Sequence, residues 1–185
     1  MHVLKRVAIV TPTQNEQTRR LLTGLGRSAV AGNWNTFIDS SCLSVSDPQW
    51  LFANQWDGVV HNHSDRRLPE LCRARGIPCV DIHDDSPAIE SVPKLRSDNP
   101  SIGKLAAEHF AGLGYQSYAF SGFSNLPWSR ERCAGFVDTL AARGRDCATF
   151  DSLHPQAGNP SLASDPAWEN DEIERIARWL RTLPQ

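Results

Sequence analysis

The stretch YQSYAFSGFSNLPWSRERCAGFVDTL, residues 115–140, decides the fold, because it passes from strand to loop to helix without a break. Tyr118, Ala119 and Phe120 form a short apolar run of the kind buried in a parallel sheet, and Ser121-Gly122 ends it. Asn125 is placed to cap a helix with Pro127 in its first turn. Cys133, Phe136, Val137 and Leu140 then recur at i, i+3, i+4, i+7, which makes one inward stripe. Trp128 and Arg132 fall off that stripe. Ligands bind beyond the carboxyl ends of strands in open parallel sheets, so this loop and first turn put an indole and a guanidinium at such a place.

The same alternation runs outward in both directions. Upstream, 6–10 (RVAIV), 34–38, 57–60 and 79–82 read as buried strands, and 92–97 reads as a weaker fifth. Helices are expected from Glu16, with Thr13 and Glu16 in a capping-box pattern and Leu21, Leu22 and Leu25 following, as a short turn from Pro48, and after Ser64 with Leu68, Leu71 and Cys72 inward. The helix begun by Asp98-Asn99-Pro100 is expected to turn Ile102, Leu105, Ala106, His109, Phe110 and Leu113 inward. Downstream, 147–150 is a further strand. The last helix starts at Asp165-Pro166, with Ile173, Ile176, Ala177 and Leu180 inward and Asp171–Arg175 and Glu174–Arg178 as supporting pairs.

Strand and helix alternating in this way imply an α/β fold with doubly wound parallel sheet and right-handed crossovers. Five strand-helix units complete one sheet by about residue 114. The organisation expected is therefore a first α/β lobe over 1–115 and a second, truncated α/β lobe over 116–185. Two strands and two helices make a thin core, and Leu183-Pro184-Gln185 stops where another buried strand is expected, so these residues read as part of a longer regulator or binding protein.

Composition narrows the function. Of 185 residues 40% are hydrophobic and 22% charged, which suits a soluble globular protein, and the formal charge of −2 leaves no basic footprint for nucleic acid. Five cysteines with no CxxC pair read as reduced thiols in a cytoplasmic protein. No signal sequence or membrane-spanning run is present. No G-x-S-x-G elbow, phosphate loop or G-x-G-x-x-G follows a strand, so the expectation is a protein that is not an enzyme and carries no cofactor. His61, His63, His83, Asp84 and Asp85 end two neighbouring strands. They serve as hydrogen-bonding wall residues or, in a minor alternative, as ligands of a metal-dependent enzyme. His109 reads as a core histidine.

Several stretches, taken together, resemble one family. These are Thr13-Gln14-Asn15 with RRLLTG at 19–24, WDGVV at 56–60, GIPCVD at 76–81, SDNPSIGKLAAEHF at 97–110, GYQSYAFSGF at 114–123, WSRERCAGF at 128–136 and WLRTLP at 179–184. The set resembles the effector-binding region of xylose-operon-type regulators, which join a LacI-like, type I periplasmic-binding-protein fold to a carboxyl-terminal AraC-type DNA-binding domain. The resemblance implies two lobes around a sugar-sized cleft and a cytoplasmic homodimer that meets operator DNA through a domain beyond Gln185. It implies that Arg132 reaches sugar hydroxyls, that Asp98 is the matching acidic position, and that Thr13 and Gln14 lie at the first loop. Trp128, Asn125, Asp84 and His61 complete the candidate binding set, and no metal is expected. The chain departs from the family at Gln17, where an aromatic is usual, and at His83-Asp84-Asp85. A stand-alone solute-binding module is the alternative.

Overall fold

A computed structural model describes residues 4–13, 16–41, 47–85, 87–153 and 166–183. The chain divides into two compact units, Met1–Arg96 and Ser97–Gln185. The sequence places the division after residue 115. The difference is the helix Asn99–Gly112 (α4 below), which packs against a helix later in the chain.

In the first unit, β1 (Lys5–Val10) is central. It pairs in parallel with β2 (Trp34–Asp39) on one side and β3 (Gly58–His61) on the other, and β4 (Cys79–Asp81) pairs with β3. Alternation along β1 feeds two cores. Ala8 and Val10 pack with Val59 against Leu51 of α2 (Pro48–Phe52) and Leu68 and Cys72 of α3 (Arg67–Ala74). Val7 and Ile9 pack with Val60 against Leu22 and Leu25 of α1 (Glu16–Gly32). A sheet with helices on both faces is the doubly wound arrangement, and each fully buried aliphatic side chain contributes roughly 1.5–3 kcal/mol.

The fifth strand expected over 92–97 is instead a single parallel bridge, Asp81 to Lys94, made by Asp81 N to Pro93 O and Leu95 N to Asp81 O. Pro93 has no N–H to continue a ladder. Neither Ser64 nor Asn125 occupies the N-cap position expected of it. Asp65 Oδ1 accepts from Arg67 N at 2.8 Å ahead of α3, and Leu126 occupies the N-cap of α5 (Pro127–Ala141) with no side-chain bond. There Ser129 Oγ accepts from Phe123 N at 2.8 Å and ties the first turn of α5 back to the preceding strand.

In the second unit, β5 (Tyr118–Phe123) and β6 (Cys147–Ser152) form a parallel pair. α4 (Asn99–Gly112) and α5 pack on one face, over Tyr118, with Ala107, Phe136 and Leu140 buried. α6 (Pro166–Leu180) meets the other face, where Trp179 lies over Phe150 with ring centroids 5.2 Å apart.

Two helix faces differ from expectation. On α4 the buried residues are Asn99, Gly103 and Ala107, while Ile102 and Leu105 are 42% and 68% exposed. The reason is close backbone packing: a Cβ on Gly103 would lie 2.0 Å from the Arg132 carbonyl oxygen, and one on Gly135 would lie 2.2 Å from that of Pro100. Only a small-residue face permits that approach, so it prevails over the larger apolar stripe. On α6 Glu172 is buried and Ile173 exposed. Arg175 pairs with Glu172 at 2.5 Å, in place of the expected Asp171.

Candidate functional site

Parallel pairing in register lines up the carboxyl ends of the first unit's strands. Val10 is paired with Asp39 on one side and His61 on the other, and His61 is paired with Asp81. The bridge to Lys94 extends this row. His61 is 1% exposed and its Nδ1 lies 3.5 Å from Asp81 Oδ1. Asp81 also accepts from Lys94 Nζ at 3.1 Å and from His83 N at 3.0 Å. Beside them Asn62 Nδ2 donates to the buried Thr11 hydroxyl at 2.9 Å.

Burial pushes the His83 imidazole down to about 4, a shift only partly opposed by Asp81. His63 is likewise lowered, first by burial and then by its neighbour His61. His83 is therefore neutral at physiological pH, Lys94 is paired with Asp81, and Arg96 Nε lies 3.8 Å from Asp84. Among the described residues no group of three His, Cys, Asp or Glu is placed to hold a metal ion, so the histidines give the metal alternative no support.

The second unit builds a different surface at the end of β5. Asn99 is fully buried in the first turn of α4, and its amide serves both neighbours: Oδ1 accepts from Arg132 Nε at 2.9 Å and Nδ2 donates to Glu131 Oε2 at 3.3 Å. The Arg132 guanidinium carbon lies 4.8 Å from the centroid of the Trp128 ring, one helical turn earlier. Trp128 in turn meets Phe123 edge-on with centroids 6.4 Å apart. One face of the indole thus carries the guanidinium instead of standing open to a ligand, and Trp128 acts with Asn99 to position Arg132. Nε is the only guanidinium nitrogen of Arg132 bonded to the protein among the described residues.

The candidate residues separate accordingly. Arg132, Trp128, Asp98 and Asn125 lie in the second unit, and Thr13, Asp84 and His61 in the first. Gln14 lies outside the described residues. Asp98 caps α4, accepting from Ser101 N at 3.2 Å, and hydrogen bonding from Ser101, first by its side chain and then by its backbone, holds the Asp98 carboxyl below the usual range. The half-buried Asn125 lies in the turn between β5 and α5, and Thr13 is half-buried beyond β1. Sequence reasoning missed Asn99, which looked only like part of a helix start, and Lys94, which looked like part of a strand. An amide next to a helix-starting proline, facing an Arg-rich turn, was the available signal for Asn99.

No helix among the described residues is long and apolar enough to cross a membrane. No protein-family model matches the chain, and no curated protein matches it in sequence. Solved structures do match. One is a periplasmic binding protein/LacI transcriptional regulator from Alkaliphilus metalliredigens QYMF complexed with D-xylulofuranose, at 15% identity and a TM-score of 0.62, covering 81% of this chain and 57% of that one. A periplasmic ribose ABC transporter from Conexibacter woesei DSM 14684 matches at 18% identity and a TM-score of 0.66, over 81% and 54% of the two chains. A PurR family transcriptional regulator from Vibrio parahaemolyticus RIMD 2210633 matches at 18% identity and a TM-score of 0.65, over 83% and 62%. The chain thus spans between 54% and 62% of the length of these three structures. Its fold is that of type I periplasmic binding proteins and LacI-like regulators.

Proposed function

We propose that this chain is the effector-binding region of a transcription regulator, holding a sugar or sugar-like molecule without performing chemistry on it. The observation that carries the reading is Arg132. Its guanidinium is fixed by a buried amide and an indole at the carboxyl end of a parallel strand, with its two terminal nitrogens left to donate. Fixing the fork beforehand reduces the ordering cost that a flexible arginine adds to binding. Above the buried His61, the half-buried Thr13, Asn62 and Asp84 supply polar groups at the strand ends of the first unit, which suits a polyol.

Binding shifts a conformational equilibrium only as far as the ligand prefers one state, and an attached DNA-binding domain and a homodimer would convert that preference into altered operator binding. The narrower assignment to AraC-type, xylose-operon regulators rests on the motif resemblance alone and gains no support from the solved structures. A solute-binding module that serves transport is the second reading, favoured by the match to a ribose transporter structure. Thermal-shift screening of pentoses and hexoses tests the binding reading. A sugar that raises the melting temperature in a saturable way, and fails to do so in Arg132→Ala, supports it, whereas an equal shift in the variant removes Arg132 from the site. Specific retention of an operator fragment by the full-length product separates the regulator from the transport module.

A further inference from the structure

An open cavity of about 520 Å3 lies at the amino ends of β3 and β4, the opposite edge of the first unit's sheet from His61 and Asp81. Trp56, just before β3, and Ile77, just before β4, line it together with Phe52, the last residue of α2, and with Gln49, Asn54 and Arg75. The Arg75 guanidinium carbon stands 4.0 Å from the centroid of the Phe52 ring, and its Nη2 donates to Gln49 Oε1 at 2.9 Å. Arg6 repeats the arrangement: its guanidinium carbon lies 5.1 Å from the centroid of the Trp56 ring, and its Nη2 donates to Asn54 Oδ1 at 3.4 Å. The indole is itself held, Nε1 donating to Leu51 O at 2.6 Å. Among the described residues no carboxylate pairs with the Arg75 or Arg6 guanidinium, whereas Arg66 and Arg67 at the start of α3 pair with Glu70 and Asp65.

Both carboxamides give their oxygen to an arginine, so Gln49 Nε2 and Asn54 Nδ2 remain as donors, and no acidic side chain lines the space. Donors without a carboxylate to satisfy them select for negative charge, and a guanidinium held on an aromatic ring is ordered before an anion arrives. Two features oppose this and are weaker. Asp57 and Asp47 are near, but each accepts from a backbone N–H, that of Arg6 at 2.7 Å and that of Gln49 at 3.2 Å, and neither lines the cavity. The carboxyl end of α3 carries an effective charge of about minus half a unit, less than the full charge of Arg75, and its last carbonyls already accept from Arg75 N, Gly76 N and Ile77 N. We propose that this cavity binds a small organic anion. Its carboxylate or phosphate meets the Arg75 fork, with the Gln49 and Asn54 amides donating beside it, and its apolar body lies against Phe52, Trp56 and Ile77. The site is separate from Arg132 and does not rest on the sugar reading.

Calorimetric titration of the whole chain at pH 7 with benzoate, phenyl phosphate and benzyl alcohol separates the charged head group from the ring. Saturable binding of at least one anion is expected, at least tenfold tighter than the alcohol, and the tighter of the two identifies the head group. Arg75→Gln should weaken it tenfold or more and Gln49→Ala severalfold; both positions are exposed, so neither change threatens folding. Arg132→Ala should leave it unchanged, so that failure here and failure of the sugar reading are told apart. Equal binding of the alcohol, absence of saturable binding of either anion, or an affinity untouched by Arg75→Gln overturns the proposal.

Discussion

Replacing Gly103 by alanine is expected to damage this protein although alanine is the better helix former. A Cβ at that position would sit 2.0 Å from the Arg132 carbonyl oxygen, 2.8 Å from Phe136 N and 2.9 Å from the Arg132 carbonyl carbon. All three are backbone atoms of α5, so no side chain can swing aside. Reaching ordinary contact requires the two helices to separate by more than an ångström, on the order of a tight van der Waals clash relieved only by main-chain movement. Overpacking of this kind costs about 1–3 kcal/mol, against a gain of up to about 1 kcal/mol from helix propensity. A net loss of about 1–2 kcal/mol is expected, or a fall in melting temperature of about 2–8 °C for a chain of this size.

Gly112 provides the control within the same helix, since a Cβ there meets nothing within 4 Å. Gly112→Ala should therefore leave stability unchanged or raise it slightly. Thermal melts of both variants, followed by circular dichroism and tryptophan fluorescence, provide the assay. Because Gly103 abuts the main chain of Arg132, its replacement should also weaken any sugar binding that depends on the Arg132–Asn99 bond. Gly103→Ala as stable as the parent, or Gly112→Ala equally damaging, would refute the packing argument.

Other perturbations have signs fixed by the same geometry. Asn99→Ala leaves Arg132 Nε and Glu131 without their shared amide, and should cost about 1–3 kcal/mol of stability and lower sugar affinity, as read by denaturation and calorimetry. Lys94→Met strands the buried Asp81 carboxylate and should cost about 3–5 kcal/mol, with much of the loss recovered by adding Asp81→Asn. His83 has a folded value near 4 against 6.5 unfolded, so the folded state resists its protonation and stability is lost as pH falls below 6.5. That loss amounts to about 2 kcal/mol between pH 7.5 and pH 5, and His83→Gln should flatten this part of the urea-denaturation profile.

The alternation of strands and helices was legible because buried parallel strands read as short apolar runs, and those at 6–10, 57–60 and 79–82 need no tertiary information. What eluded the sequence was which face of a helix turns inward when small and large residues compete. On α4 the periodic stripe of Ile102, Leu105 and Leu113 is a stronger pattern than Gly103 and Ala107, yet close backbone approach at Gly103 and Gly135 settles the orientation. On α6 the stacking of Trp179 on Phe150 and the bond between Ser152 and Glu172 set the rotation, and both depend on contacts with β6 that the helical period of α6 does not reveal. At the candidate site, Trp128 and Arg132 were visible as residues off the apolar stripe. Their mutual stacking and the role of Asn99 were not, because these arise from the meeting of two helices separated by a strand.

Calorimetric titration of a screened sugar into the wild-type chain and into Trp128→Ala tests the central claim most directly. If the indole and the Asn99 amide hold the Arg132 fork ready for sugar hydroxyls, the variant folds normally but binds about tenfold more weakly, a loss of about 1.4 kcal/mol. Identical affinities in the two proteins would contradict it.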